Sequence, residues 1–319
     1  MKTLLSFVIP CYRSEKTIEK VTEEIIETVS QRAEYDYEII CVNDSSPDNV
    51  YSVLQKLAAG NRKIKVIDFS RNMGKHSAVL AGYSVSKGEY IVNLDDDFQC
   101  PVGELWRLLE PVEKGGYDFS TARYKEKKQS AFKNFGSNVN MFMASVMLGK
   151  PRELRIENFN IMKRFIVDEI IKYDKPYPYL EGLLYQITHN IALVDMEERG
   201  RADDNATGFT LSKSLALWLN GFTAFSVKPL RISTILGLGF AVIGFIAGIL
   251  IVVKKLLHPE TMMGWTSLMA LQLFVSGVMM MILGLIGEYV GRIYICLNNT
   301  PQYVIRSTIN IDGKEEAEK

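Results

Sequence analysis

Residues 90–99 read Tyr90-Ile91-Val92-Asn93-Leu94-Asp95-Asp96-Asp97-Phe98-Gln99, a short apolar run that passes directly into three carboxylates. The apolar run is typical of a strand that is buried on both faces of a sheet. Like charges this close repel one another, so the carboxylates are costly unless a cation neutralises them. Divalent ions such as Mg²⁺ and Mn²⁺ accept carboxylate oxygens and keep substrate phosphates as partners. A solvated acidic turn is the alternative, but the position directly after a buried strand favours a metal site.

The same alternation of apolar runs and amphipathic segments extends outward from this stretch, from residue 1 to about 125. The predicted strands cover residues 4–9, 37–42, 64–69, 90–94 and 117–122. The predicted helices between them cover residues 16–30, 48–59, 75–86 and 102–113. Strands that alternate with helices imply right-handed βαβ units and a parallel sheet. Ligands of such sheets bind at the carboxyl ends of the strands.

Two further polar clusters follow predicted strands. Residues 41–46 place Asp44 where its carboxylate can accept hydrogen bonds from a base or a ribose, although Asn, Asp and Ser are also ordinary turn residues. Residues 69–78 place Arg71, Gly74 and Lys75 at the start of a helix, where a phosphate can bind. A capped helix with solvated charges is the alternative for this second cluster.

The last third of the chain contains two long stretches without a charged residue, 232–253 and 265–287. At about 1.5 Å per residue, each helix is roughly 33 Å long, enough to cross a bilayer core of about 30 Å. The short linker 254–264 predicts a transmembrane hairpin with both ends of the chain on one side. Lys228, Arg231, Arg292 and Arg306 favour the cytoplasm for that side, and Lys254 and Lys255 in the linker oppose it.

Segments 131–148 and 211–225 each carry an apolar side flanked by basic and aromatic residues, which suits helices lying in a membrane interface or packing on the core. The chain has 319 residues with 37 basic and 37 acidic side chains. This balance argues against binding of nucleic acid, which usually requires a basic excess. The four cysteines form no CxxC pair, so we expect reduced thiols and no zinc site.

Four motifs, in order and at suitable separations, resemble those of family 2 glycosyltransferases with the GT-A fold. They are Val8-Ile9-Pro10-Cys11-Tyr12-Arg13-Ser14-Glu15, Val42-Asn43-Asp44-Ser45-Ser46-Pro47-Asp48, residues 71–78 with Ala81-Gly82, and Asp95-Asp96-Asp97-Phe98-Gln99-Cys100-Pro101. The first motif has Arg13 where the family usually has asparagine, and Ser45 replaces a glycine in the second. The resemblance implies an α/β fold with a Rossmann-like, mostly parallel sheet.

Motifs nearer the carboxyl end resemble a narrower branch, the polyprenyl-phosphate glycosyltransferases. This branch includes dolichol-phosphate mannose synthase relatives, bacteriophage-type glucosyl transferases and the undecaprenyl-phosphate aminoarabinose transferase. The matching stretches are Ser226-Val227-Lys228-Pro229-Leu230-Arg231, Gly287-Glu288-Tyr289-Val290-Gly291-Arg292-Ile293-Tyr294 and Asn299-Thr300-Pro301-Gln302-Tyr303-Val304. The chain departs from the branch at Asn158, where an aspartate is common, and at Thr207-Gly208-Phe209.

The resemblance implies a catalytic domain over residues 1–230 with its interface helices, a transmembrane hairpin over 231–290 and a cytoplasmic tail over 291–319. It further implies a multi-pass protein of the cell membrane, with a cytoplasmic catalytic domain and a homo-oligomeric, tetrameric assembly. The implied reaction is inverting transfer of a sugar from a nucleotide-sugar to undecaprenyl or dolichyl phosphate. The product is a lipid-linked sugar for modification of cell-envelope glycans or glycoconjugates.

Site residues follow from the same resemblance. The nucleotide-sugar is expected to contact Pro10, Tyr12, Glu15, Asp44, Arg71, Lys75, Asp95 and Asp96. A divalent metal, Mg²⁺ or Mn²⁺, is expected on Asp97 and Asp95. The acceptor phosphate is expected to bind Lys133, Arg199 and Arg201. Catalytic roles are expected for Asp97, Arg201, Arg123 and Lys133.

Two other functions compete with this interpretation. A processive polysaccharide synthase shares the GT-A core, but its Q-x-x-R-W signature is absent and two membrane helices are few for a polymer channel. A non-catalytic membrane accessory protein is the second alternative, and the intact Asp95–Asp97 cluster argues against it.

Overall fold

The computed structural model describes residues 2–124, 156–176, 178–197, 199, 264–298 and 301–311, together with ten isolated helical positions between 235 and 257. The chain forms two compact units, one of Met1–Ser145, Lys150–Gly208 and Asn299–Lys319 and one of Val146–Gly149 and Phe209–Asn298. The predicted interface helices 131–148 and 211–225, most of the predicted span 232–253, and the site residues Lys133 and Arg201 lie outside the described residues.

Among the described residues, the first unit is built on an eight-stranded mixed sheet. Its strands are β1 (Thr3–Cys11), β2 (Tyr35–Asn43), β3 (Ile64–Phe69), β4 (Tyr90–Asn93), β5 (Phe119–Tyr124), β6 (Asn160–Lys163), β7 (Ile191–Met196) and β8 (Ile305–Ile309). Their order across the sheet is β7-β5-β6-β4-β1-β2-β3-β8. Strands β6 and β8 run opposite to the other six, so the carboxyl ends of β1–β5 and β7 lie along one edge.

Helices connect the strands and cover the faces of this sheet. They are α1 (Ile18–Ser30), α2 (Val50–Gly60), α3 (Lys75–Val85), α4 (Leu105–Glu113), α5 (Arg164–Ile170) and α6 (Leu180–Ile187). In α1, the buried side chains of Ile18, Val21 and Ile25 recur at the three- and four-residue spacing of one helix face. They join a core cluster with Phe7 and Ile39 from the central strands. The predicted α/β fold with a mostly parallel sheet is confirmed.

The observed bounds differ from the predicted ones most clearly at β5, which was predicted over 117–122 and begins at Phe119. The backbone at Gly116 has a φ of 75°, and the strand begins three residues later. The backbone N–H of Tyr117 donates to Pro111 O at 3.1 Å, and that of Asp118 donates to Asn190 O at 3.1 Å. Tyr117 is therefore tied back to α4, whereas the Asp118 contact with the residue before β7 marks the start of pairing in the sheet.

Helix α7 (Trp265–Leu297) is the long helix of the second unit and continues ten residues beyond the predicted span 265–287. Its segment Phe274–Gly291 has a mean hydropathy of 1.7, with no part of it buried inside the protein. By length and composition, this is the one helix within the described ranges that is able to cross a membrane. The predicted partner span 232–253 lies mostly outside those ranges.

Candidate functional site

The polar segments singled out in the sequence gather at the edge where the parallel strands end. Tyr12 and Asp44 directly follow β1 and β2. Arg71 and Asp95 follow β3 and β4 after one intervening residue. Arg123 lies at the carboxyl end of β5 on the same edge. The structure therefore brings these sequence-distant side chains to one side of the sheet, as expected for a parallel α/β fold.

Asp44 is buried beneath the loop that joins β3 to α3. Its carboxylate oxygens accept the backbone N–H groups of Met73 at 2.6 Å and Gly74 at 2.9 Å. Its backbone oxygen accepts Asn72 Nδ2 at 3.1 Å. Burial raises the pKa of Asp44, and the two N–H donors oppose that effect. Asp44 thus fixes the loop, while the expected contact with a base stays a prediction.

Asp95 has a partner on each carboxylate oxygen. Lys75 Nζ forms an ion pair with Oδ1, and Asn158 Nδ2 donates to Oδ2 at 2.5 Å. An aspartate at position 158 would place a second carboxylate against Asp95, and like charges at that distance repel. The asparagine that departs from the family pattern is therefore a hydrogen-bond donor to the acidic cluster.

Asp96 and Asp97 complete the cluster in different surroundings. Asp96 Oδ2 accepts the backbone N–H of Tyr12 at 2.9 Å, and burial, reinforced by the charges of Asp95 and Asp97, raises the pKa of Asp96 to about 6. Asp97 Oδ1 accepts the backbone N–H of Gln99 at 3.2 Å. Phe98, which lies between Asp97 and Gln99, adopts a left-handed φ of 64°.

Hydrogen bonds also join the loops after β1 and β2. Glu15 Oε2 accepts the backbone N–H of Asn49 at 3.1 Å, and the backbone N–H of Glu15 donates to Asp48 Oδ2 at 3.0 Å. Arg71 is exposed, with its Nε 3.2 Å from Met73 Sδ. Glu15 therefore has a structural partner at the site, whereas Arg71 projects from the loop.

Arg123 and Arg199, the described arginines with predicted roles in catalysis or acceptor binding, are both ion-paired. Arg123 Nε contacts Asp195 Oδ1 at 2.5 Å on the surface. The guanidinium of Arg199 contacts both oxygens of Glu24 at 2.8 Å and lies 5.1 Å from the centre of the Phe98 ring. Arg199 is therefore held beside the acidic cluster, with Glu24 matching its charge.

A cavity of about 80 Å³ lies behind the acidic cluster, and its lining includes Pro10, Lys75, Asp95 and Asn158. Sequence reasoning missed the amide network at its floor, where Asn93 Nδ2 donates to the hydroxyl of Tyr83 and, at 2.8 Å, to Asn160 Oδ1. The available signal was a polar side chain within the otherwise apolar β4, because a buried polar group needs a partner.

No group of three or more His, Cys, Asp or Glu side chains converges to hold a metal ion within the described part of the chain. The carboxylates of Asp95, Asp96 and Asp97 are consecutive, but their side chains have different partners.

Comparison with known families gives two matches. The model described as Glycosyl transferase family 2 matches residues 6–171. The model described as GtrB C-terminal hairpin matches residues 228–293. The first match covers the four motifs at the sheet edge, and the second covers both charge-free stretches.

Two relatives align over nearly the whole chain. The protein named Uncharacterized glycosyltransferase YkcC, from Bacillus subtilis (strain 168), is 31% identical over 97% of this chain and 95% of its own length. The SfII prophage-derived bactoprenol glucosyl transferase of Shigella flexneri is 28% identical over 95% of this chain and 98% of its own length.

Among solved structures, the fold is similar to that of glucosyl-3-phosphoglycerate synthase from Mycobacterium tuberculosis. The structure of that enzyme with Mn²⁺, UDP-glucose and phosphoglyceric acid has a TM-score of 0.51 and 16% identity, covering 70% of this chain and 78% of the other. At this identity, the similarity establishes the fold alone.

Proposed function

Since the chain belongs to glycosyl transferase family 2, we propose that it transfers a sugar, with inversion, from a nucleotide-sugar to a polyprenyl phosphate at the cytoplasmic face of the cell membrane. The observation that carries this proposal is the alignment of 95% of the chain with a bactoprenol glucosyl transferase, hairpin included. The product is a lipid-linked sugar for modification of the cell envelope.

The donor end of the site is the strand edge that carries Asp44, Arg71, Lys75 and the acidic cluster. The similarity in fold to a synthase that binds UDP-glucose supports a nucleoside diphosphate sugar as the donor class. Lys75 supplies a positive charge beside Asp95, and exposed Arg71 supplies another on the same loop. Two cations near the start of α3 favour binding of a diphosphate.

We assign a divalent cation, Mg²⁺ or Mn²⁺, to Asp97 and Asp95, and its binding to Asp95 requires that oxygens now paired with Lys75 and Asn158 turn to the ion. Carboxylate oxygens are the ligands that such ions accept, and Mg²⁺ is commonly held by one or two carboxylates with substrate phosphates as further ligands. When bound, the cation neutralises charge that develops on the leaving nucleoside diphosphate.

The acceptor is proposed to be a phosphate, which is largely ionised near neutral pH and therefore needs no strong general base. This chemistry is compatible with an amide rather than a carboxylate at Asn158. We assign the acceptor phosphate to Lys133, Arg199 and Arg201, with Arg123 as a further cation. Arg199 already lies beside the acidic cluster, and its binding of a phosphate requires exchange of Glu24 for that ligand.

The position of β8 supports a membrane hairpin over 231–290. Strands β1 and β8 belong to one sheet, so the chain between them crosses a bilayer an even number of times or not at all. If α7 crosses, a second crossing must precede it, and the matched hairpin over residues 228–293 provides the place. The tetrameric assembly stays a prediction.

The proposed reaction is tested with purified protein, undecaprenyl phosphate and a panel of nucleotide-sugars, each assayed with Mg²⁺, Mn²⁺ or a chelator. We expect metal-dependent formation of one lipid-linked sugar. Polymeric products would indicate a processive synthase instead. If the protein released nucleoside diphosphate from none of the nucleotide-sugars, this result would indicate an accessory protein.

We predict that Asp97→Asn lowers kcat/KM at least about 100-fold while the protein still folds, because metal stabilisation of the leaving group contributes several kcal/mol. Asp174→Asn is the matched control, since Asp174 is an exposed carboxylate whose Oδ1 lies 3.0 Å from Nζ of its neighbour Lys175. Turnover by folded Asp97→Asn in chelator at the wild-type rate would overturn the metal assignment.

A further inference from the structure

Strand β8 follows the apolar helix α7 in the chain and closes the edge of the sheet beside β3. The pairing is antiparallel, with Val66 opposite Ile309 and Phe69 opposite Ile305, and its register shifts between Asp68 and Phe69. The loop Ser70–Lys75, here called the donor loop, begins where this pairing ends. The segment after α7 is therefore attached to the strand that leads directly into the donor loop.

Residues 301–311 are here called the carboxyl-terminal segment. This segment binds both the backbone N–H and the backbone carbonyl of Ser70, the first residue of the donor loop. The N–H of Ser70 donates to Val304 O at 2.9 Å. The Ser70 carbonyl accepts a hydrogen bond from Arg306 Nη2 at 2.9 Å. The other guanidinium nitrogen of Arg306 lies 3.4 Å from Oδ2 of Asp68, whose side chain is buried. Arg306 thus bridges the end of β3 and the start of the donor loop.

Neighbouring residues of the same segment support this bridge. The ring of Tyr303 stacks on Phe69, with ring centres 5.4 Å apart and planes 4° from parallel. Gln302 Nε2 donates to the carbonyl oxygens of Tyr173 and Lys175, each at 2.7 Å. The segment is therefore fixed on two sides, at the end of β3 and at the turn after α5.

The contacts continue from Asp68 toward the donor end of the site. Asn43 Nδ2 donates to Asp68 Oδ1 at 2.7 Å, and Asn43 Oδ1 accepts the backbone N–H of Ser46 at 3.1 Å. Asn43 precedes Asp44, whose carboxylate holds the far end of the donor loop through Met73 and Gly74. The donor loop is consequently held at its start by the carboxyl-terminal segment and at its end by Asp44.

We propose that Arg306 and Tyr303 are positioning residues for the donor loop, so that affinity for the nucleotide-sugar depends on docking of the segment that follows α7. Neither residue needs to touch the substrate. They set the path of the chain from Phe69 into Ser70 and so the placement of Arg71 and Lys75. The substrate named here rests on the proposed function, whereas the mechanical link between Arg306 and the donor loop does not.

The link is tested first without substrate, by amide hydrogen exchange on the full-length protein. We expect Arg306→Ala to accelerate exchange at Ser70, Met73 and Gly74 by roughly tenfold, the change expected when a charge-assisted hydrogen bond is lost. Asn310→Ala is the matched control. Asn310 lies just beyond β8 and donates to Ala58 O at 2.8 Å and Ile64 O at 2.9 Å, contacts of the same strand edge that do not involve the donor loop.

The kinetic consequence is tested with UDP-glucose, Mn²⁺ and undecaprenyl phosphate. We expect Arg306→Ala and Tyr303→Ala to raise the KM for UDP-glucose about five- to tenfold and to leave the KM for the lipid and kcat within about twofold. Arg306→Lys should give an intermediate KM, because an ammonium keeps the charge but cannot bridge two acceptors as a planar guanidinium does. Asn310→Ala should lower thermal stability without changing either KM.

The outcomes separate this inference from the proposed function. If the wild-type protein turns over no nucleotide-sugar, the proposed function fails and the exchange experiment alone decides the link. Unchanged exchange in the donor loop of Arg306→Ala would overturn the inference. Equal changes in Arg306→Ala and Asn310→Ala would also overturn it, because they would indicate general loosening of β8.

Discussion

Two residues that depart from the family pattern occupy left-handed backbone conformations. Arg13 has a φ of 61° and Ser45 a φ of 49°. Asparagine and glycine, which the pattern has at these positions, are the residue types that adopt this conformation most easily. Each departure therefore keeps the backbone path at a cost of about 1–2 kcal/mol. The backbone N–H of Arg13 still donates to Ser46 Oγ at 2.8 Å, which holds the two loops together.

We predict that Ser45→Gly stabilises the protein by about 1 kcal/mol, because glycine removes the steric cost of a positive φ. The corresponding rise in Tm is roughly 2–4 °C for a domain of this size. Ser52→Gly is the matched control, since Ser52 lies within α2, where glycine should destabilise by about 0.5–1 kcal/mol. Thermal unfolding of both variants with the wild type checks the prediction, and a lower Tm for Ser45→Gly would contradict it.

At the scale of elements, a buried ion pair joins β2 to β3. Lys65 Nζ lies 2.6 Å from Glu38 Oε2, and the two side chains are 10% and 6% exposed. Glu38 Oε1 also accepts Ser6 Oγ and the backbone N–H of Lys87, each at 2.5 Å. Burial acts to raise the pKa of Glu38, but the hydrogen bonds from Lys65, Ser6 and Lys87 outweigh it and lower the pKa below its ordinary value.

We predict that Lys65→Met destabilises the protein by about 3–5 kcal/mol, because it leaves the Glu38 carboxylate buried without its cation. The double variant Glu38→Gln, Lys65→Met should recover most of that loss, since the glutamine keeps hydrogen-bonding capacity without a charge. Chemical denaturation of both variants measures the difference. If Lys65→Met were as stable as the wild type, the Glu38–Lys65 pair would contribute nothing to the free energy of unfolding.

The ion pair between Glu38 and Lys65 also makes the stability of the fold depend on pH. Because the folded pKa of Glu38 is lowered, its contribution to stability is present above the unfolded pKa and is lost as the pH falls through the folded value. We expect the wild type to lose this contribution below about pH 4.5, the ordinary glutamate range, and the double variant to lack that component of acid unfolding.

The elements that sequence reasoning identified are those with long local patterns. Strands β1–β5, helices α1–α4 and helix α7 each carry an apolar run or an amphipathic period. Strands β6, β7 and β8 were missed because the regular alternation of strands and helices ends near residue 125, so that only pairing with other strands identifies them. Pairing of β8 with β3 depends on contacts across more than 230 residues, which no local pattern records.

For the candidate site as well, some features follow from local sequence patterns and others depend on tertiary contacts. The location of Asp95, Asp44 and Arg71 at one edge follows from strand direction and was predicted. The partners of these side chains were not, because they depend on tertiary contacts. Asp44 binds backbone N–H groups 29 and 30 residues away, and Arg199 binds Glu24 across 175 residues.

For the whole molecule, the sheet that contains both β1 and β8 requires the catalytic unit and residues 301–311 to lie on one side of any membrane. We predict that Thr261→Cys is labelled by an impermeant thiol reagent outside intact cells and that Asp312→Cys is labelled only after permeabilisation. Cys296→Ser provides the background, because the other three cysteines, Cys11, Cys41 and Cys100, are buried. The reverse labelling pattern would refute a cytoplasmic catalytic domain.

Closure of the sheet by β8 also has a consequence during synthesis. Ser70 and Arg306 are 236 residues apart, so ribosomes making about 5–20 residues per second need roughly 10–50 s between the two. Throughout that interval, the side of β3 that faces away from β2 has no partner strand. Such exposed strand edges are surfaces on which nascent chains pair wrongly with one another. If residues 228–293 insert as the proposed hairpin, a chain in which only one of the two helices crossed would place β8 on the opposite side of the bilayer from β3. The free edge of β3 would then stay open to chaperones and proteases.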